Sequence, residues 1–301
     1  MRHTYLCPLR WADLDELGHV NNVVYVDYLQ EARVELLRLL RPGVVPGSPD
    51  EAAQGEAALV VRHDIDYLTP LVLDRGPLHI EVWVSEVRAA SFTLRYELFH
   101  PASDGADGSD GARRVYARAT TLLTPYVFAS GRPRRLTPAE REVLAGFLEP
   151  DDRPAGPRPG AVDADRATTY ELRVRFSDVD VYRHVNNVKY VEYLQEARIA
   201  IGDALWRDPD TDATGVVVGR AEVDYHRPMV LRPEHYTVLT TVSRLGTRSM
   251  DLSSEIRDGD EVCARGRVVM VFFDREHGRS VEPSARLRAR LEEALARGRA
   301  Y

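Results

Sequence analysis

Two carboxylates, an imidazole and two side-chain amides crowd into the ten residues from Asp13 to Asn22, as Asp13, Asp15, His19, Asn21 and Asn22. The same set returns at Asp178, Asp180, His184, Asn186 and Asn187. After each set the apolar residues fall at helical spacing, so the polar groups lie in a loop at the mouth of a helix. The exposed N–H groups and positive dipole end of such a terminus favour an anion or a developing oxyanion. A carboxylate held there activates water or attacks an acyl carbon. The pattern therefore offers a carboxylate for attack on a carbonyl, with Asp15 and His19, Asp180 and His184 among its groups, and equally fits a folding device that duplication has kept. Asn22 and Asn187 read first as N-caps.

Competing chemistries fit less well. If Asp13 opened a calcium loop, Leu17 would fall at the fifth position and Val24 at the twelfth, where a bidentate Glu belongs. The remaining histidines have no paired metal-ligand spacing, and the two cysteines, Cys7 and Cys263, make neither a zinc site nor a disulfide framework. There is no Gly-x-Ser-x-Gly elbow, phosphate-binding loop or dinucleotide glycine fingerprint. Neither a metal nor a cofactor is expected.

The elements that must position these groups also come in duplicate. Arg10 to Arg33 and Arg175 to Arg198 align without a gap, 165 residues apart, with 16 of 24 positions identical. Weaker likeness follows through Asp66-Tyr67 and Asp224-Tyr225, then Pro70 and Pro228. Each copy reads as a short strand (Tyr5 to Trp11, Tyr170 to Phe176), a polar loop, and a helix of four to five turns, closed in the first copy by Pro42-Gly43. Four β-rich runs follow: Leu59–Tyr67, His79–Val87, Ser91–His100 and Arg114–Leu123, with counterparts at Gly215–Tyr225, Tyr236–Leu245, Ser249–Arg257 and Glu261–Phe273. Asp104 to Gly111 reads as an acidic, glycine-rich mobile connector. One helix on one face of a mainly antiparallel sheet is an α+β unit. The expected division is a first domain at 1–148, a Pro-rich linker at 149–169 and a second domain at 170–301.

The 301 residues are enough for two ordinary cores, and 44% hydrophobic with 29% charged residues is a globular balance. A formal charge of -7 makes nucleic acid a poor partner. No apolar run is long enough to span a bilayer, and Met1 to Trp11 holds no signal-peptide core. No membrane insertion and a cytoplasmic location are expected, the latter matching the sparse cysteines.

Asp-x-Asp-x-x-Gly-His-Val-Asn-Asn-x-x-Tyr, from Asp13 to Tyr25, resembles the signature of the 4-hydroxybenzoyl-CoA thioesterase-like group of the hotdog-fold superfamily. The stretch from Asp178 to Tyr190 resembles it too, and is also similar to plant acyl-ACP thioesterases, which are double hotdogs. The resemblance implies a tandem hotdog acyl-CoA thioesterase, each unit a central helix wrapped by a curved sheet, the two forming an intramolecular pseudo-dimer that further homo-oligomerisation is free to extend. The family's catalytic Asp falls on Asp15 and Asp180. Its Gly falls on Gly18 but on Arg183 in the second copy, where a side chain crowds the acyl group or reaches a carrier phosphate. Gly18, Asn22, Asn187 and Arg183 thus form the expected substrate and oxyanion set, and the first copy is expected to be the better catalyst. The plant enzymes' Asn, two residues after that Asp, is Leu17 or Tyr182 here, and their Glu-Cys pair is Pro228-Met229, so acyl-CoA is favoured over acyl-ACP. A non-catalytic acyl-thioester binding module is the reading from another class.

Tyr25, Tyr28, Tyr190 and Tyr193 are expected as core or interface aromatics, Glu31, Arg33, Glu196 and Arg198 as ion-pair ties to the partner unit, and both cysteines as inert. Residues 1–150 expressed alone should give a homodimer or an insoluble product. A stable soluble monomer on size-exclusion chromatography would argue against mutual burial.

Overall fold

A computed structural model describes residues 1–40, 55–73, 76–101, 113–151, 156–205, 214–274 and 276–297. Two compact units result, Met1–Ala155 and Gly156–Tyr301. The expected connector at Asp104–Gly111 and the helix stop at Pro42-Gly43 lie outside the described residues.

The first unit runs β1 (His3–Cys7), α1 (Val24–Arg38), β2 (Glu56–Tyr67), β3 (Leu78–Val87), β4 (Phe92–His100), β5 (Arg114–Val127), β6 (Arg132–Pro133) and α2 (Pro138–Gly146). Its main strands form an antiparallel sheet in the order β1-β3-β4-β5-β2. The second unit repeats the plan with β7 (Thr168–Leu172), α3 (Asn187–Leu205), β8 (Thr214–Tyr225), β9 (Tyr236–Leu245), β10 (Ser249–Asp258), β11 (Glu261–Asp274), β12 (Arg279–Ser280) and α4 (Ala285–Arg297), in the order β7-β9-β10-β11-β8.

The periodicities dictate this layering. Val26, Leu29, Ala32 and Leu36 recur every three to four residues and are all at most 2% exposed, so α1 turns one stripe onto the sheet. Leu78, Ile80, Val82 and Val84 alternate along β3 and are fully buried, as are Leu94, Tyr96 and Leu98 on β4. The first strand ends at Cys7, four residues before its expected end. Pro8 has no N–H to offer a ladder, and Trp11–Asp13 has already wound into a 3-10 turn.

Two helices were not foreseen. Each has a plain start signal: Thr137 and Glu140 exchange side chain-to-backbone bonds at the mouth of α2, and the Ser284 hydroxyl accepts from the Leu287 N–H before α4. Leu287 and Leu291 of α4 complete a core with Ile201, Val242, Met250, Leu252, Met270 and Phe272.

Both ends of the expected linker are held by the sheets. Glu149 pairs with Arg2 and its N–H donates to the Val84 carbonyl at 2.8 Å. Val162 is buried, its N–H on Glu255 (3.2 Å) and its carbonyl on the Arg257 guanidinium (3.1 Å). Burial alone would push the fully buried Glu255 carboxyl up, but Arg265, Arg257 and the Val162 amide outweigh it and hold it low.

Helix and sheet approach closely at Gly266 of β11. A Cβ there would lie 2.5 Å from Cδ1 of Leu194 on α3. Gly266→Val is expected to cost about 1–3 kcal/mol of unfolding free energy, and Leu194→Ala in the same chain to recover part of it. Denaturant midpoints with unchanged slopes test this.

Candidate functional site

Each copy of the acidic motif folds into a tight hairpin. In the first, the Asp15 N–H donates to the His19 carbonyl (2.8 Å) and the Gly18 N–H to the Asp15 carbonyl (3.0 Å), while Leu14 bridges Val20. In the second, Asp180 and His184 make the same bond at 2.8 Å, Arg183 donates to Asp180 at 3.0 Å, and Val179 bridges Val185. This is a three-residue hairpin closed by one left-handed residue. Gly18 supplies it at φ 72°, and Arg183 takes the same conformation at φ 63°, the one non-glycine with positive φ among the described residues.

The Gly18 amide is committed to the turn, and a Cβ at that position would meet nothing within 4 Å. Glycine there supplies the left-handed backbone angle of the turn. Arg183 reproduces the turn at the cost of strain.

The two carboxylates of each motif have different surroundings. Asp13 Oδ2 accepts the Arg10 N–H (2.9 Å) and the Tyr28 hydroxyl (2.6 Å), and Asp178 Oδ2 accepts the Arg175 N–H and the Tyr193 hydroxyl, each at 2.7 Å. These acids bolt the loop to the helix. Burial and then the facing carboxylate push the Tyr28 and Tyr193 hydroxyls well above their ordinary range. Asp15 and Asp180 instead curl over their own hairpins. Asp15 Oδ1 accepts the Leu17 (2.9 Å) and His19 (3.1 Å) amides, and Asp180 Oδ1 those of Tyr182 (2.9 Å) and His184 (3.3 Å). Among the described residues, Oδ2 of neither acid accepts a hydrogen bond. Burial raises the Asp180 carboxyl above its ordinary 3.8, against the lowering pull of the two amides and of His184.

His19 and His184 thus position the second acid through their backbone amides. Asn22 and Asn187 lie one place off the expected cap positions: Val23 sits at the cap of α1, and Asn187 is itself the first residue of α3, while the Asn21 side chain accepts the Val23 N–H (3.2 Å) and Asn186 that of Val188 (3.4 Å). The carbonyls of Asn22 and Asn187 accept the hydroxyls of Tyr67 (2.8 Å) and Tyr225 (2.9 Å) at the ends of β2 and β8. These two tyrosines were seen only as repeat matches. They also meet Tyr25 and Tyr190 edge to face, with centroids 5.2 and 5.1 Å apart. Tyr25, Tyr28, Tyr190 and Tyr193 are all buried.

Arg33, expected as an ion-pair tie, is 4% exposed inside the first unit. It lies close enough to His63 to help burial hold that imidazole neutral, well below 6.5, and the His63 Nδ1 meets the Thr121 hydroxyl at 3.0 Å. Arg198 is only half-buried and donates to the Gln195 side chain. Burial pushes the Cys7 and Cys263 thiols up to about 12 and about 11, which leaves them unreactive at neutral pH.

Replacing Arg183 by Gly should relieve the left-handed strain and stabilise the chain by about 1 kcal/mol. A denaturation midpoint that stays put or falls would mean that the arginine side chain contributes more than its backbone costs.

Comparison with known proteins agrees with this architecture. The chain is 30% identical over 131 residues to the long-chain acyl-CoA thioesterase FadM of Escherichia coli, covering 42% of this chain and 97% of FadM. It is 34% identical over 113 residues to the uncharacterized protein YsmA of Bacillus subtilis, covering 37% and 76%. The 12:0-ACP thioesterase of Umbellularia californica shares the fold over 90% of this chain and 97% of its own, with a TM-score of 0.68 at 17% identity. No helix among the described residues is long and apolar enough to cross a membrane. The model of the thioesterase-like superfamily matches residues 9–147 and 174–291, and the chain, an α+β double hotdog, belongs to that family.

Proposed function

We propose that the protein hydrolyses an acyl thioester of coenzyme A to the free acid and CoA, without a metal, using Asp15 in one unit and Asp180 in the other. One observation carries this reading. In both hairpins a carboxylate keeps one oxygen on two backbone amides, while its other oxygen accepts no bond among the described residues.

As general base, that second oxygen takes a proton from water while the water oxygen attacks the thioester carbon. The negative charge on the former carbonyl oxygen is met by the helix N-terminus that follows Asn22 or Asn187. Collapse breaks the C–S bond, and the thiolate takes the proton back from the carboxyl. As nucleophile, the same oxygen attacks the thioester carbon and expels the CoA thiolate, which leaves an acyl-aspartyl anhydride that water then opens. In a single turnover in 18O-water, label in the aspartate establishes the anhydride route with opening at the aspartyl carbon, and label in the product acid alone is common to both routes. The His19 and His184 imidazoles steer the water or the carboxylate, and Arg183 offers its guanidinium to the carrier. The 30% likeness to FadM supports CoA as that carrier. The plant neighbour at 17% identity speaks for the fold and not for acyl-ACP.

Asp15→Asn with Asp180→Asn should lower kcat by about 100- to 10,000-fold on long-chain acyl-CoA, with KM moved far less. Near-normal turnover by the double variant would return both acids to loop structure. In Asp15→Asn alone, activity rests on Asp180, which must be ionised to act. Its raised carboxyl places the acid limb of kcat/KM above pH 3.8, and activity falls as pH drops through it. The sign for stability is opposite. The folded state binds this proton at higher pH than the unfolded chain, so the charge costs stability at pH 7. Asp180→Asn should therefore raise the neutral-pH melting temperature while lowering turnover.

A further inference from the structure

Trp11 and Phe176 are the most exposed large hydrophobic side chains among the described residues, at 81% and 85%. They occupy equivalent places, each the first residue of the 3-10 turn that leads into the acidic hairpin. Such rings normally bury most of their surface, and these two neither stack on another aromatic ring nor lie under an arginine among the described residues. The repeat keeps a flat aromatic face here although the residue itself differs. It does not keep the hairpin positions, where Glu16, Leu17 and Gly18 face Val181, Tyr182 and Arg183.

An exposed arginine precedes each ring, Arg10 and Arg175. Its backbone N–H is fixed on Asp13 or Asp178, the same carboxylates that bolt the loop to the helix. Ring and arginine are therefore carried on a turn whose backbone is tied to the helix through these carboxylates. Four residues separate Trp11 from Asp15, a span of at most about 14 Å. The second copy adds the exposed arginines Arg173, just after β7, and Arg183, on the hairpin. In a chain of net charge -7, this puts local positive charge where an anionic leaving group must sit.

We infer that Trp11 and Phe176 are platforms for the adenine of coenzyme A, with the adjacent guanidiniums pairing with its phosphates, so that they set the protein's preference for a CoA carrier. The inference rests on the thioesterase reading above. One flat ring beside a fixed arginine is the size of one nucleobase, and stacking of this kind is sequence-tolerant, so Trp and Phe serve alike. A protein carrier would need a contact of several hundred Å² per side.

The test uses the full chain and its Trp11→Ala, Phe176→Ala, double Ala and Trp11→Phe variants. Calorimetric titration with CoA and with adenosine 3′,5′-bisphosphate should show the double Ala variant weakened by about ten-fold or more, and Trp11→Phe within about three-fold of wild type. In steady state the double Ala variant should raise KM for acyl-CoA by about ten-fold with kcat nearly unchanged. The acyl-N-acetylcysteamine thioester, which has no nucleotide, should be turned over as by wild type. Four results would overturn the inference. These are CoA binding too weak to measure in wild type, unchanged CoA affinity in the double Ala variant, equal losses on the truncated thioester or on acyl-ACP, and a drop in oligomeric mass on removing the rings, which would make them a contact between copies. CoA binding that the double Ala variant loses, in a protein that hydrolyses none of these thioesters, upholds the platform and overturns the thioesterase reading instead.

Discussion

A tyrosine hydroxyl on the helix meeting a loop carboxylate, Tyr28 on Asp13 and Tyr193 on Asp178, is the contact from which the rest of each site is hung. Asp178 is 3% exposed, and a buried carboxylate is tolerable only when its oxygens are bonded. The hydroxyl and the backbone N–H of Arg10 or Arg175 meet that need, and in doing so they fix three things at once: the 3-10 turn, the entry of the helix and the start of the acidic hairpin. The Asn21 and Asn186 amides reach back to the carbonyls of the same acids at 2.9 Å, which closes the loop on itself. With both ends held, the second carboxylate has a defined place at the helix mouth.

That second carboxylate shows how position becomes reactivity. Two amides on one oxygen favour the charged form, whereas burial disfavours it, and at Asp180 burial wins. A carboxylate that is harder to ionise is a stronger base once ionised. The hairpin also asks one residue to adopt a left-handed conformation. Gly18 does so freely, while Arg183 does so under strain. Local strain beside a candidate base is what a functional position tolerates and a purely structural turn tends to lose.

The two units share a frame but differ inside. The first holds a polar interior where Arg33 of α1 lies close to His63 and Thr121 of the sheet, with Tyr96 fully buried nearby. The second fills its interior with Met250, Leu252, Met270 and Phe272 and closes it with α4. Both units carry buried acids in ion-paired groups: Glu97 with Arg113 and Arg118 in the first, and in the second Glu222 with Arg220 and Arg267, Asp251 with Arg267, and Glu255 with Arg257 and Arg265. Each of these charges is desolvated and must be paired where it stands. A strong identity across helix and loop therefore coexists with different surroundings for whatever the helix N-terminus receives.

The sequence by itself determined the repeat, the strand runs, the long helices and the acidic motif, because periodicity and spacing are local properties that side-chain burial then follows. It also carried the start signals of α2 and α4 in Thr137, Glu140 and Ser284, though nothing local said which sheet those helices would cover. Tertiary structure alone decided the division of labour within the motif. Asp13 and Asp15 are the same residue type two positions apart, and the arrival of Tyr28 from the helix makes one a bolt, while the other curls over its own hairpin. It likewise brought the Tyr67 hydroxyl of β2 onto the Asn22 carbonyl, and it drew Arg33 inside beside His63. Each of these outcomes depends on a partner more than ten residues away in the chain, and a contact of that range is set by the packing of helix on sheet.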